Sequence, residues 1–138
     1  MSVHTRYIDL VIGARFPEHP ARYVVTANVV ADYRAIGGGP ACLSDSAPDE
    51  VAPPTLAAVY IRPAQNALNG PPGGIHAKQQ FTFSAPVRVG DTLETTLEVR
   101  ELFERNGKRY VVSETHTRNQ HGVLVCTGVI TQVWGRDA

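Results

Sequence analysis

One histidine and two aspartates of this sequence are candidates for proton transfer, and each has a simpler structural alternative. His76 follows Gly73-Gly74, where missing side chains would let a ligand approach the backbone, and imidazole has a pKa suited to acid–base catalysis. The alternative is a half-exposed strand histidine. Asp45 lies in a loop-like stretch, where functional residues concentrate. Asp32 falls on the outer face of a predicted helix, where a solvated carboxylate is the simpler interpretation.

A run of three glycines at residues 37–39 precedes one of the two cysteines. The run could admit polar groups of a ligand close to the main chain, or it could simply end a helix. A thiol becomes a nucleophile when a neighbouring base lowers its pKa, and no base is adjacent to Cys42 in the sequence. We therefore expect Cys42 and Cys126 to be free thiols, and the scattered cysteines and histidines do not indicate a metal site.

The composition argues against several classes of function. Thirteen basic and thirteen acidic residues give a formal net charge of zero, so nucleic acid and anionic membranes are not expected as partners. The sequence has no apolar run of the roughly 18 residues that a transmembrane helix needs, and its first residues lack the apolar core of a signal peptide, so a cytoplasmic location is expected. With 138 residues, of which 43% are hydrophobic, the chain is predicted to form one domain over residues 1–138.

The elements that would position these residues begin with two helices in a half that is otherwise irregular and rich in Gly and Pro. Thr26 can cap a helix that runs to Ile36 and ends at Gly37. A central helix is predicted from Thr55, because apolar residues then recur at helical spacing and would pack against a sheet. Pro63 removes a backbone donor in this helix, so the helix should kink or restart there.

Strand patterns dominate the second half of the chain. Alternation from residue 75 predicts Phe81 and Phe83 on one face of a strand and His76 on the other. Asn106-Gly107 predicts a tight antiparallel hairpin, because both central residues of such a turn need positive φ. The predicted strands cover residues 75–83, 93–103, 110–117 and 123–134. Four strands in a meander, the last of them central, predict an α+β fold in which a curved antiparallel sheet wraps round a helix.

Several segments resemble one known family. Residues 74–83 (GIHAKQQFTF) and 85–93 (APVRVGDTL) are similar to a pattern of MaoC-like dehydratases and (R)-specific enoyl-CoA hydratases, in particular of their N-terminal, non-catalytic type of hotdog domain. Residues 118–128 (RNQHGVLVCTG) resemble the last hairpin of that family, and residues 52–55 (APPT) resemble the entry to its central helix. The resemblance implies a hotdog fold, dimers of hotdog domains, and thioesters of coenzyme A or acyl carrier protein as ligands, without a further cofactor.

The resemblance also bears on catalysis. In active members a GlyAsp-x-AsnProLeuHis motif supplies an Asp and a His that activate the water added to an enoyl thioester. Here residues 33–42 (YRAIGGGPAC) occupy that place, with Gly38 where the Asp would be and Cys42 near the His. Glycine can neither accept a proton nor orient water, so the resemblance implies a chain without its own catalytic pair.

Three functions follow from this resemblance. The first is an acyl-thioester-binding subunit that works with a catalytic hotdog partner as a homodimer or heterodimer. Its expected substrate-binding residues are Gly38, Gly39, Pro54, Thr55, Tyr60 and His76. The second is a self-sufficient enzyme, either a hydratase that uses His76 with Asp45 or an acyl-CoA thioesterase with other carboxylates. The third is a module that binds an acyl or aromatic ligand without a reaction.

Overall fold

The computed structural model describes residues 4–36 and 51–136. In these ranges five antiparallel strands form one sheet in the order β1-β3-β4-β5-β2, and helical segments pack on one of its faces. The strands are β1 (Arg15–Val24), β2 (Ile75–Phe83), β3 (Thr92–Arg105), β4 (Lys108–Arg118) and β5 (Leu124–Val133), and the α-helices are α1 (Ala27–Ile36), α2 (Ala57–Tyr60) and α3 (Arg62–Asn66). The described part is therefore an α+β hotdog fold, as predicted.

The central helical segment is interrupted. A short 3-10 helix at Pro54–Leu56 leads into α2, and α3 restarts with Pro63 in its first turn, where a missing N–H costs least. The predicted restart is thus confirmed, although the segment is three short pieces. Leu56, Ile61 and Ala64 are completely or almost completely buried and pack these pieces against the sheet.

Two local predictions at element ends are confirmed. Thr26 caps α1, because its Oγ1 accepts a hydrogen bond from the Val29 N–H at 3.1 Å. The β3–β4 hairpin turns at Asn106 and Gly107, whose φ values are 53° and 75°. Both values lie in the left-handed region that this turn requires. The predicted end of α1 at Gly37 falls outside the described residues.

The predicted meander is wrong, because β2 does not pair with β3. It lies at the far edge of the sheet beside β5, while β3 pairs with β1 and β4. The last strand, β5, is interior as predicted, since it lies between β4 and β2. Local alternation marks a strand but contains no information about its neighbour, which depends on contacts between distant parts of the chain.

A bulge in β2 also changes which residues share a face. His76 pairs with Gln132, and Phe81 pairs with Gly128, but Ala77 has no partner in the register. Paired residues of an antiparallel sheet project from the same face, and the extra residue shifts the alternation by one. His76 therefore lies on the same face of the sheet as Phe81, and the prediction that they face opposite ways is wrong.

The two edges of the sheet differ. β1, a strand that the sequence did not predict, contains Pro17 and Pro20, and its register is interrupted between Phe16 and Ala21. Proline lacks the N–H that a ladder needs, so a strand that contains it belongs at an edge. By contrast, β2 has nine residues without proline, eight of them exposed, and its outer side has no strand partner in the described part of the chain. One edge of the sheet is thus open for pairing.

Candidate functional site

An apolar pocket of about 340 Å³ lies where the central helical segment begins. One wall comes from residues 51–54 and Tyr60, and the other comes from the end of β2 and the loop that follows it. The lining residues are Val51, Ala52, Pro53, Pro54, Tyr60, Phe83, Ser84, Ala85, Pro86 and Val87. A backbone hydrogen bond from the Ala52 N–H to the Val87 carbonyl, at 2.7 Å, joins the two walls. The pocket therefore has a fixed frame of suitable size for a small apolar group.

Among the described residues that line the pocket, Tyr60 alone has a side chain that titrates, and it is only 2% exposed. Burial, together with a hydrogen bond to the Cys126 thiol, raises the pKa of Tyr60 well above its ordinary value of 10.0. Burial also raises the pKa of Cys126, and the hydrogen bond to Tyr60 offsets only part of this rise. Both groups are thus neutral at physiological pH, and Cys126 is a buried free thiol rather than a nucleophile.

Polar contacts connect α1 to the wall of the pocket. The Tyr33 hydroxyl donates a hydrogen bond to the Thr55 Oγ1 at 2.7 Å, and the Arg34 guanidinium donates one to the Val51 carbonyl at 3.1 Å. These contacts fix the C-terminal part of α1 beside the segment that leads into the 3-10 helix. Thr55 therefore adjoins the pocket and supports it without lining it.

A side-chain network holds the loop after β2 against the β4–β5 turn. Asp91 accepts hydrogen bonds from the Arg88 N–H at 2.9 Å and from the Gln120 amide at 3.0 Å. The Gln120 amide oxygen in turn accepts the Thr92 N–H at 3.0 Å. The Val-Gly-Asp segment that carries the family resemblance thus has a structural role, since it fixes the loop that bounds the pocket.

The structure brings together some of the predicted site residues and separates others. Pro54 and Tyr60 line the pocket, and Thr55 lies next to it. His76 is exposed and does not line the pocket. It lies seven residues from Phe83 along β2, roughly 23 Å at about 3.3 Å per residue. The remaining predicted residues, Gly38, Gly39, Cys42 and Asp45, lie outside the described residues.

Sequence reasoning missed the second wall of the pocket. Phe83 and residues 84–87 come from the end of β2 and the following loop, about 30 residues beyond the first wall. The Ser84-Ala85-Pro86 segment marks the end of the strand, but nothing local indicates that it faces the start of a helix. The lining contains no carboxylate and no imidazole among the described residues. Nor does the described part of the chain contain a group of acidic, His or Cys side chains placed to hold a metal ion.

Comparison with known proteins identifies the family. The family model described as "FAS1-like, dehydratase domain region" matches residues 10–128. The chain belongs to this family, and the predicted resemblance to MaoC-like hotdog dehydratases is confirmed. The chain is also 28% identical over 136 residues to a UPF0336 protein of Saccharopolyspora erythraea, a match that covers 88% of this chain and 87% of that protein.

Solved structures agree on the fold. The R-hydratase PhaJ1 of Pseudomonas aeruginosa is similar with a TM-score of 0.75 and 23% identity, over 95% of this chain and 86% of that one. A chain of the HadBC (3R-hydroxyacyl-ACP dehydratase) complex of Mycobacterium tuberculosis is similar with a TM-score of 0.72 and 22% identity, over 90% of this chain and 96% of that one. In the described residues no helix is long and apolar enough to cross a membrane.

Proposed function

We propose that the protein is an acyl-thioester-binding hotdog subunit of an enoyl-CoA hydratase or acyl dehydratase, and that it works with a catalytic hotdog partner. The pocket is the observation that carries this proposal. It is apolar, it has a volume of about 340 Å³, and its described lining offers no group that could act as a base near neutral pH. Such a site suits an acyl chain better than it suits proton transfer.

The sequence of the neighbouring segment supports a non-catalytic role. Residues 33–42 contain neither Asp nor His, the two residue types that activate water in active MaoC-like relatives. A positioned acid–base group typically contributes about 10²- to 10⁴-fold in rate, so its loss leaves little turnover. The HadBC complex, to which this fold is similar, is itself an assembly. That likeness supports a partner subunit that carries the catalytic pair.

The open outer edge of β2 supports a specific mode of dimerisation. Pairing of an edge strand with its own copy about a two-fold axis is antiparallel, so residue 75 of one protomer lies toward residue 83 of the other. The pocket lies at the Phe83 end, whereas His76 lies at the opposite end. In such a dimer His76 approaches the partner's pocket. We therefore retain His76 as a substrate-binding residue that acts across the interface.

The isolated chain is expected to hydrate crotonyl-CoA at less than about 0.1 per second, a hundredfold below the enzyme median of about 10 per second. The loss of enoyl absorbance measures this rate. Turnover within tenfold of the median would contradict the proposal.

The same preparation should bind octanoyl-CoA. Binding should weaken at least tenfold in Phe83→Glu, which places a charge at the pocket, and should be unchanged in the control Thr82→Glu on the other face of β2.

A dimer paired through β2 is expected in solution, with a mass by light scattering twice that of the 15.0 kDa chain. Cysteines placed at residues 78 to 80 in a Cys42→Ser background should form a disulfide between protomers, because facing strand residues have Cβ atoms about 4.5–5.5 Å apart. A cysteine at His19 in β1 is the control and should not form one. A monodisperse monomer at micromolar concentration, or crosslinking only through β1, would contradict this assembly.

A further inference from the structure

A second cleft, of about 540 Å³, lies at the opposite end of the sheet from the acyl pocket. It is bounded by the β3–β4 hairpin, the start of β2 and the chain that leaves β5. The lining residues are Gly73, Ile75, Asn106, Gly107, Lys108, Arg109, Val133, Trp134, Gly135 and Arg136. The proposed function of the acyl pocket leaves this cleft without a role.

The cleft concentrates positive charge in a chain whose formal net charge is zero. Lys108, Arg109 and Arg136 line it, and none of its described lining residues is acidic. Glu104 forms an ion pair with Arg109 at 3.4 Å, whereas Lys108 and Arg136 form no ion pair with any residue that the structure describes. Cations gathered in a concave surface attract an anion more strongly than the same cations spread over a convex one.

One side of the cleft is apolar and contains the only tryptophan of the chain. Trp134 is 5% exposed, and its indole N–H is buried without a hydrogen-bond partner in the described part of the chain. Ile75 beside it is 56% exposed. A ligand that carries a planar ring as well as negative charge would cover this apolar wall and contact the cations at the same time.

We propose that this basic cleft binds a phosphate-bearing anion of the nucleoside diphosphate class. Lys108 and Arg136 bind the phosphates, and the wall formed by Ile75 and Trp134 contacts the ring. Arg109 adds positive charge beside them, although its guanidinium is ion-paired with Glu104 and lies over the Tyr7 ring. Two phosphates suit two cations, and the mixed lining suits a nucleotide better than it suits a lone inorganic ion.

The position of the cleft indicates a role for this site. That role rests on the proposed function and on pairing through β2. The cleft includes Ile75, and in an antiparallel β2 pair that end of one protomer adjoins the Phe83 end of its partner. The acyl pocket of one protomer and the basic cleft of the other then lie along one interface. The cleft therefore holds the nucleotide of a coenzyme thioester whose acyl group lies in the partner's pocket.

Equilibrium dialysis with labelled ADP tests the site directly, and the fluorescence of Trp134 locates it. The wild-type protein should bind ADP saturably. Its affinity for ADP should fall as the salt concentration rises from about 50 to 300 mM, because exposed charges are then screened. Lys108→Gln/Arg136→Gln should weaken ADP binding at least tenfold. The matched control Arg15→Gln/Arg62→Gln removes two exposed charges elsewhere and should bind as the wild type does. No saturable binding, or equal affinity in the two double variants, would overturn the proposal.

A second comparison identifies the source of the phosphates. Lys108→Gln/Arg136→Gln should weaken octanoyl-CoA at least tenfold and leave octanoyl-N-acetylcysteamine, which has no phosphate, unchanged. Equal weakening of both thioesters would overturn the assignment to the nucleotide end. If neither thioester binds the wild type while ADP does, the acyl-binding function fails and the anion site stands.

Discussion

Tyr60→Ala is expected to lower the free energy of unfolding by about 3 to 5 kcal/mol, the usual cost of removing a large aromatic side chain from a core. Tyr60 is 2% exposed, and it belongs to the cluster that joins the helical segment to β5. Its ring lies 6.5 Å from that of Tyr23, so the substitution removes an aromatic contact from β1 as well. Chemical denaturation followed by circular dichroism measures the loss.

Tyr60→Phe is the matched control, because it keeps the ring and removes only the hydroxyl that contacts the Cys126 thiol. It should cost about 1 kcal/mol. A loss in Tyr60→Ala no larger than that in Tyr60→Phe would show that the ring does not hold the core. Because Tyr60 also lines the pocket, the alanine variant should enlarge it and favour bulkier acyl thioesters, whereas the phenylalanine variant should keep the wild-type preference.

Gly128→Val is expected to destabilise the fold by about 2 to 3 kcal/mol, in the upper range for overpacking a core. A Cβ at Gly128 would lie 2.5 Å from the Thr115 Oγ1 and 3.2 Å from the ring of Phe81. Thr115 is fully buried and Phe81 lies in β2, so relief of the clash would move the open edge strand away from β5. Both the melting temperature and the dimer fraction should fall.

Thr127→Val is the control for this substitution, because it introduces valine at the preceding residue of β5, which is only partly buried and already has a branched side chain of nearly the same size. It should change stability by no more than about 0.5 kcal/mol. Thr115→Ala combined with Gly128→Ala tests the mechanism, since removing the hydroxyl should recover part of the cost of Gly128→Ala. Strictly additive losses would contradict the proposed clash.

Features that depend on a few adjacent residues could be predicted from the sequence. The Asn106-Gly107 turn follows from the φ values that two neighbouring positions must adopt, and the restart at Pro63 follows from a single missing N–H. The cap at Thr26 is equally local. Each of these constraints acts within one turn of chain, so distant contacts cannot override it easily.

The position of each strand in the sheet could not be predicted in this way. β1 was missed because Pro17 and Pro20 interrupt its alternation, and prolines normally argue against a strand. β2 was placed beside β3 because the two are consecutive, although β2 lies at the other edge. One unpaired residue, Ala77, then reversed the predicted face of His76. Such a bulge leaves no mark in the alternation of a strand that is exposed on both faces.

The residues of the candidate site likewise divide into those that could be predicted from the sequence and those that could not. Pro54 and Tyr60 were predicted as substrate-binding residues from the family resemblance, and both line the pocket. Phe83 and the loop after it were missed, because they reach the pocket only through the pairing of β2 with β5. The basic cleft was missed for a similar reason, because Lys108 and Arg136 are far apart in the sequence. A net charge of zero for the whole chain also conceals the local excess of positive charge.

The unequal edges of the sheet also limit how large an assembly can grow. In the language of polymer chemistry, a sheet with two open edges is a bifunctional monomer that can propagate into a fibre, whereas a sheet with one open edge is monofunctional and can only terminate. Within residues 4–36 and 51–136, Pro17, Pro20 and the broken register of β1 leave β2 as the one reactive edge of the sheet. Pairing through β2 therefore ends at two subunits and exposes only the two proline-blocked edges. A rise in protein concentration should thus increase the fraction of dimer without forming larger assemblies.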